Sequence, residues 1–192
     1  MGRVPSSSDA SSQKVASLWI RLLPNGLTVA RIVLAFAFPF LDKSLWLAVV
    51  VVATLTEFFD GYLARKLNVE SAIGRQMDPV ADKLFVIGVV YTFYAHELLT
   101  LPQILLVGAR DLMVVVGGVL AWAFGLGRDF LDVSPKYSGK VATTFQFAFL
   151  IGVSAFQSVN DLFLYTTIAV SIIAAADYFV LGVLRLKDKY TK

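Results

Sequence analysis

Residues 57–83 read EFFDGYLARKLNVESAIGRQMDPVADK, and the rest of the chain is organised around them. The stretch lies between strongly apolar segments, yet it carries four regularly placed carboxylates: Glu57, Asp60, Asp78 and Asp82. Carboxylates close to hydrocarbon are costly and mark functional sites. Oxygen ligands without imidazole or thiolate partners are typical of Mg²⁺, Mn²⁺ or Ca²⁺ sites. The stretch therefore predicts a divalent-metal and phosphate site at a membrane surface.

The composition of the whole chain is that of a membrane protein. Its 192 residues are 57% hydrophobic and 16% charged, whereas soluble domains average roughly 45–50% and about 25%. The mean hydropathy is +0.72. The chain has no Cys and a single histidine, His96, which excludes disulfide frameworks, thiolate sites and multi-histidine metal centres. We expect an all-α polytopic membrane protein.

Six apolar segments are long enough to cross a bilayer as helices. They lie at 26–42, 45–65, 79–97, 101–124, 141–157 and 162–184. Residues 1–13 are small and polar and predict a flexible tail, and the segment from about 14 to 23 suits a short interfacial helix. Residues 14–192 are then a single six-helix membrane domain.

Basic residues are distributed unevenly between the two sides of this topology. Lys43 is the only Lys or Arg in the predicted outer loops, whereas the predicted inner segments contain many. Positive residues favour the cytoplasmic side of a membrane. The charge pattern therefore predicts a multi-pass protein with both termini and the carboxylate stretch on the cytoplasmic side. The expected location is a bacterial cytoplasmic membrane or an organellar inner membrane.

The carboxylates fall at helical offsets on two successive spans. One face of the second span carries Glu57, Asp60, Gly61, Ala64 and Arg65. Asp78 and Asp82 are one helical turn apart at the start of the third span, with Gly74 one turn earlier. Asp78 precedes Pro79 and also suits a helix N-cap. Four converging carboxylates repel one another unless cations bridge them, which favours a metal site over a solvated loop with caps.

The same stretch resembles the signature of the CDP-alcohol phosphotransferase family, D-x2-D-G-x2-A-R-x8-G-x3-D-x3-D. Every spacing is kept, and the single departure is Glu57, where the family usually has Asp. The resemblance implies a six-helix membrane fold, usually a homodimer, that binds a CDP-linked lipid from the cytoplasmic side. It implies two metal ions, Mg²⁺ or Mn²⁺, held by Glu57, Asp60, Asp78 and Asp82, with Asp82 also the catalytic base. It further implies that the CDP-lipid is bound by Gly61, Ala64, Arg65 and Gly74.

Three other segments resemble the phosphatidylglycerophosphate synthase branch of this family: LPNGLTVARIV at 23–33, GARDLMVV at 108–115 and SGKVATTFQ at 138–146. The resemblance implies acceptor contacts from Arg31, Arg110, Lys140 and Thr143. The residues alone leave other roles open. Arg110 and Asp111 also suit an internal ion pair with a neighbouring helix, and Lys140 also suits a cytoplasmic anchor.

The predicted activity is transfer of a phosphatidyl group from CDP-diacylglycerol to glycerol 3-phosphate, releasing CMP. The alternative within the family is cardiolipin synthase, which uses phosphatidylglycerol, because Ala142 replaces the second Lys of the synthase pattern. Other CDP-alcohol acceptors remain open. Outside the family, aspartate-rich prenyltransferases need two separated motifs, and a cation channel needs acids in a midplane pore. Membrane lipids are expected partners, and nucleic acids are not.

Overall fold

The computed structural model describes the backbone of residues 26–67, 72–123 and 137–190. Side chains are described for 26–56, 80–121, 123, 137–184 and 187. The predicted tail at 1–13 and the predicted interfacial helix at 14–23 lie outside these ranges. The described part of the chain is helical and contains no strand, which confirms the all-α prediction.

The described ranges contain the following helices, numbered in chain order. The first helix, α1, covers 26–37 and continues as a 3₁₀ turn over Phe38–Phe40. The others are α2 (Lys43–Leu67), α3 (Ala72–Ala95), α4 (Leu101–Val107), α5 (Ala109–Ala123), α6 (Ser138–Phe156) and α7 (Asp161–Tyr190).

Two helices in the described ranges are long and apolar enough to cross a membrane, Ser138–Phe156 and Asp161–Leu184. A third candidate span joins α4 to the first part of α5 through a bend of 71°. The predicted span at 101–124 is therefore broken rather than straight. The described ranges thus contain two or three candidate spans by length and composition, which is consistent with a membrane protein.

The polar stretch between the second and third predicted spans is more helical than the sequence indicated. Helix α2 extends to Leu67, and α3 already covers residues from Ala72 onward. Asp78 and Pro79 lie inside α3, so the prediction that Asp78 is an N-cap was wrong. Pro79 lacks the N–H that would bond to the carbonyl of residue 75, so the helix loses one hydrogen bond there without ending.

The chain divides into two compact units, Met1–Thr92 and Phe93–Lys192. In the first unit, Phe38 is fully buried and its ring lies 5.9 Å from Trp46 and 6.2 Å from Phe85. These three aromatic residues come from the 3₁₀ turn, α2 and α3. Their burial fixes α1 and its turn against the two following helices.

Helices α1 and α3 approach closely and run in the same direction. A Cβ on Gly88 would collide with the backbone carbonyl of Ala35, so glycine is needed at this crossing. Arg31 precedes Ala35 by four residues and Asp82 precedes Gly88 by six, which is about 6 Å and 9 Å along the two axes. Because Arg31 and Asp82 are in contact, both lie on the same side of the crossing between Ala35 and Gly88. Each precedes its crossing residue in the sequence, so α1 and α3 run in the same direction.

In the second unit, α7 packs against α4, α5 and α6. Its buried face carries Leu164, Thr167, Ser171 and Ala174, which recur at offsets of three and four. Many large apolar side chains of α5 and α7 are exposed, as expected for helices that face lipid. The connection from α6 to α7 is tight, with Gln157 in the left-handed conformation at φ 49°.

Candidate functional site

The signature carboxylates lie on two helices, as their spacing predicted. Glu57 and Asp60 are on α2, one turn apart, and Asp78 and Asp82 are on α3, also one turn apart. The predicted CDP-lipid residues follow the same helices: Gly61, Ala64, Arg65 and Gly74. The side chains of all these residues except Asp82 lie outside the described part.

Asp82 forms an ion pair with Arg31 of α1. The Arg31 Nη1 donates a hydrogen bond to Asp82 Oδ1, and Nη2 lies 3.4 Å from Thr56 Oγ1. Arg31 is buried, with 4% of its side chain exposed, whereas Asp82 is 22% exposed. A buried guanidinium requires a counter-charge, which Asp82 supplies.

The contacts of Arg31 link α1, α2 and α3, the described helices of the first unit, at the carboxylate motif. Thr56 directly precedes Glu57, the first position of the signature, and Asp82 is its last position. Arg31 therefore brings a fixed positive charge to a motif of four carboxylates. The sequence predicted an acceptor contact for Arg31, and the structure places its guanidinium on the predicted catalytic carboxylate.

A second polar cluster lies in the other unit, around Arg110 in the first turn of α5. Its Nη1 donates to Asp111 Oδ1 at 2.8 Å, and its Nη2 donates to the Tyr178 hydroxyl at 3.1 Å. The amide of Gln146 donates to Asp111 Oδ2 at 3.1 Å. The cluster therefore joins α5, α6 and α7. The ion pair that the structure describes joins two neighbours on α5 rather than two helices, and the described partners on the other helices, Tyr178 and Gln146, are neutral.

A buried serine of α7 forms hydrogen bonds with the backbone at the break between α4 and α5. The chain bends at Gly108, whose N–H and carbonyl keep their bonds to Ile104 and Leu112. The Val107 carbonyl and the Arg110 N–H on either side instead find a side-chain partner. The Ser171 hydroxyl donates to the Val107 carbonyl at 2.8 Å and accepts from the Arg110 N–H at 3.2 Å. Ser171 is buried at 4% exposure. This side chain of α7 therefore satisfies the bent backbone and fixes the start of α5.

The SGK segment opens α6 directly beside Arg110. A Cβ on Gly139 would lie 3.0 Å from the Tyr178 hydroxyl oxygen and 3.2 Å from Arg110 Nη2. Lys140 follows and is exposed, and the Thr143 hydroxyl donates to the Gly139 carbonyl at 3.0 Å. The structure thus brings together the segments that carry the predicted acceptor residues of this unit, Arg110, Lys140 and Thr143.

Tyr178, Gln146 and Ser171 are polar residues of this cluster to which the sequence had assigned no structural role. Gln146 is the last residue of the segment SGKVATTFQ, and Tyr178 lies outside all the segments that resemble the family. The sequence does contain a helical periodicity that could have identified two of them, because Ser171, Ala174 and Tyr178 fall at i, i+3 and i+7. That spacing places the serine and the tyrosine on one face of α7.

The donor set of the signature fits a divalent cation by its chemistry. All four groups are carboxylates, which hard cations prefer, and the two pairs stand at one-turn spacing on α2 and α3. The ion pair with Arg31 uses one oxygen of Asp82, Oδ1. Among the side chains that the structure describes, no three acidic or histidine residues lie close enough together to hold a metal ion. Three of the four signature carboxylates are not among those side chains.

A cavity of about 520 Å³ lies at the connection between α6 and α7. Its lining includes three aromatic residues, Phe149, Phe156 and Phe163, and two polar residues, Ser158 and Asn160. None of the predicted site residues lines it. The cavity is therefore separate from the polar cluster around Arg110.

Comparison with known proteins gives the same family as the signature. The family model for CDP-alcohol phosphatidyltransferases matches residues 21–173. Three similar proteins carry the name CDP-diacylglycerol–glycerol-3-phosphate 3-phosphatidyltransferase. The protein from Wigglesworthia glossinidia brevipalpis is 32% identical over 134 residues, 65% of this chain and 71% of the relative. The Aquifex aeolicus protein is 31% identical over 154 residues, 76% and 84% of the two chains. The Yersinia enterocolitica protein is 33% identical over 140 residues, 68% and 75%. The chain belongs to the CDP-alcohol phosphatidyltransferase family.

Proposed function

We propose that this enzyme transfers a phosphatidyl group from CDP-diacylglycerol to glycerol 3-phosphate, giving phosphatidylglycerophosphate and CMP. The donor class follows from the family and its signature. The acceptor named by the three relatives is glycerol 3-phosphate. The activity would place the protein in phospholipid biosynthesis.

The acceptor assignment rests on one observation, the close approach of the Arg110 guanidinium to the first turn of α6. A phosphate monoester needs cationic donors, and Arg offers a planar two-donor edge for phosphate oxygens. Gly139 lets α6 begin against the Arg110 guanidinium, and Lys140 is the next residue. We assign Arg110, Lys140 and Thr143 to the acceptor phosphate.

The carboxylates Glu57, Asp60, Asp78 and Asp82 would hold two divalent cations, Mg²⁺ or Mn²⁺. When bound, these ions would neutralise the diphosphate and stabilise the departing CMP. The CDP moiety would lie against Gly61, Ala64, Arg65 and Gly74, where small residues permit close approach and Arg65 offers a phosphate contact.

Asp82 is the proposed general base. Its carboxylate takes the proton of the acceptor hydroxyl, and the acceptor oxygen bonds to the phosphorus that carries diacylglycerol. The bond from that phosphorus to the bridging oxygen breaks, and CMP leaves with that oxygen. Arg31 keeps the Asp82 carboxylate in place, and an acceptor that reaches Asp82 also comes close to Arg31.

The proposed topology is six spans in one domain covering 14–192, with both termini and the carboxylate motif on the cytoplasmic side. The shared direction of α1 and α3 supports this, because α2 must then cross back between them. The charge asymmetry of the loops supports the orientation. We further propose a homodimer, on the resemblance to the family.

Ala142 favours one second candidate, cardiolipin synthesis with phosphatidylglycerol as acceptor. It stands where the glycerol 3-phosphate branch carries a second Lys, and it is buried in α6 at 6% exposure. A cation is therefore missing at this position. Phosphatidylglycerol has only a phosphodiester charge, for which fewer cations suffice.

An acceptor panel tests the proposal. Purified protein in detergent receives CDP-diacylglycerol, Mg²⁺ and one acceptor at a time: glycerol 3-phosphate, phosphatidylglycerol, inositol phosphate, or serine. CMP release is followed, and the lipid product is identified by mass. We expect phosphatidylglycerophosphate with the first acceptor. Cardiolipin from the second acceptor alone would select the second candidate, and no CMP with any acceptor would contradict the family activity.

A further inference from the structure

We propose that Tyr178 is a positioning residue that fixes the Arg110 guanidinium in the orientation that receives the acceptor phosphate. This inference rests on the proposed function, in which Arg110 contacts that phosphate. It concerns a residue outside the family signature and outside the segments by which the sequence identified the acceptor site.

Tyr178 holds the guanidinium in two ways. Its hydroxyl accepts a hydrogen bond from Arg110 Nη2 at 3.1 Å, and its ring centroid lies 5.3 Å from the central guanidinium carbon. The second contact is a cation–π interaction, which favours a cation near the ring face. The hydroxyl and the ring together restrict both the position and the rotation of the guanidinium plane.

Asp111 alone does not restrict Arg110 in the same way. It neighbours Arg110 on α5, so their contact at 2.8 Å moves with that helix. Tyr178 belongs to α7, and its hydroxyl also faces the first turn of α6 at Gly139. Tyr178 therefore sets where the guanidinium stands relative to α6, the helix that carries Lys140 and Thr143.

The guanidinium keeps donors for a ligand in this arrangement. It has five N–H groups, and the bonds to Asp111 and Tyr178 use one on each Nη. Each Nη therefore keeps one further N–H that can donate to phosphate oxygens, and the Arg110 side chain is 19% exposed. Tyr178 orients the guanidinium plane by holding Nη2.

Gly139 completes the cluster. Any side chain there would press on the Tyr178 hydroxyl at 3.0 Å and on Arg110 Nη2 at 3.2 Å. Glycine therefore lets the start of α6 contact the Tyr178–Arg110 pair without displacing it. Gly139→Ala is expected to disturb the same pair from the opposite side, which provides a second and independent variant.

The experiment measures steady-state kinetics of Tyr178→Phe in the full-length detergent-solubilised enzyme. This change keeps the ring and removes the hydroxyl. We expect the KM for glycerol 3-phosphate to rise about tenfold, the order expected for a lost hydrogen bond to a charged group. The kcat and the KM for CDP-diacylglycerol should change less than twofold. Tyr165→Phe is the matched control, because Tyr165 is exposed on the same helix.

A double variant separates positioning from packing. Because Tyr178 acts through Arg110, adding Tyr178→Phe to Arg110→Gln should raise the glycerol 3-phosphate KM little beyond the Arg110→Gln value. Gly139→Ala should raise the same KM selectively. Independent, additive effects would overturn the inference, as would an unchanged KM or an equal rise for both substrates. If the wild-type enzyme shows no turnover with glycerol 3-phosphate, the proposed function is refuted, and this inference is refuted with it.

Discussion

Gly88→Ala is the substitution for which the structure gives the sharpest expectation. The added methyl group would collide with the Ala35 carbonyl oxygen and would lie 3.0 Å from its carbonyl carbon and 3.2 Å from its Cα. All three atoms belong to the backbone of α1, which has no side-chain rotation to relieve the clash. Helices α1 and α3 must therefore move apart.

Two effects of opposite sign determine how much Gly88→Ala changes the free energy of unfolding. Overpacking a tight contact typically costs about 1–3 kcal/mol, and a backbone obstacle argues for the upper value. Replacing Gly by Ala inside a helix by itself stabilises the folded state by about 1 kcal/mol. The net loss is about 2 kcal/mol, which corresponds to a fall in Tm of roughly 4–8 °C for a chain of this size.

The assay is thermal unfolding in detergent, with Gly117→Ala as the matched control. Gly117 also lies inside a helix, α5, but nothing in the described part of the chain lies within 4 Å of a Cβ built there. The control should keep or slightly raise Tm. If the two variants shift Tm in the same direction, the close approach of α1 and α3 is refuted. Since Arg31 reaches Asp82 next to this crossing, Gly88→Ala should also lower turnover.

Three further predictions concern single polar groups. Asp82→Asn should abolish CMP release while CDP-lipid binding stays measurable, and unchanged turnover would remove Asp82 as the base. Lys140→Ala should raise the KM for glycerol 3-phosphate more than that for the CDP-lipid, and an equal loss for both would indicate a structural role. Ser171→Ala should lower stability by about 1–3 kcal/mol, because it leaves an α4 carbonyl and an α5 N–H buried without a partner. Exposed Ser158→Ala should change Tm little, and equal shifts for the two serines would contradict the proposed role of Ser171.

The sequence predicted the elements that depend on local pattern. Apolar runs of span length predicted helices, and each of the six predicted runs overlaps a helix of the structure. The signature could be read without coordinates, because its spacing fixes which carboxylates share a helix face. The bend at Gly108 was missed, since Gly in an apolar run also occurs in straight membrane helices. The extension of α3 through 72–78 does not follow from the sequence pattern, because an Asp followed by Pro is typical of a helix start.

The sequence by itself therefore determined the family, the helical class and the residues of the carboxylate motif, all of which depend on composition and on short-range spacing. Only the tertiary structure decided the partners of the buried charges. It paired Arg31 with Asp82 across 51 positions and Arg110 with Tyr178 across 68 positions. Such pairings depend on which helix faces meet, and that depends on packing at contacts such as those of Gly88 and Gly139. Residues 57–83 predicted a site, and the fold supplied the charged partner of its final carboxylate.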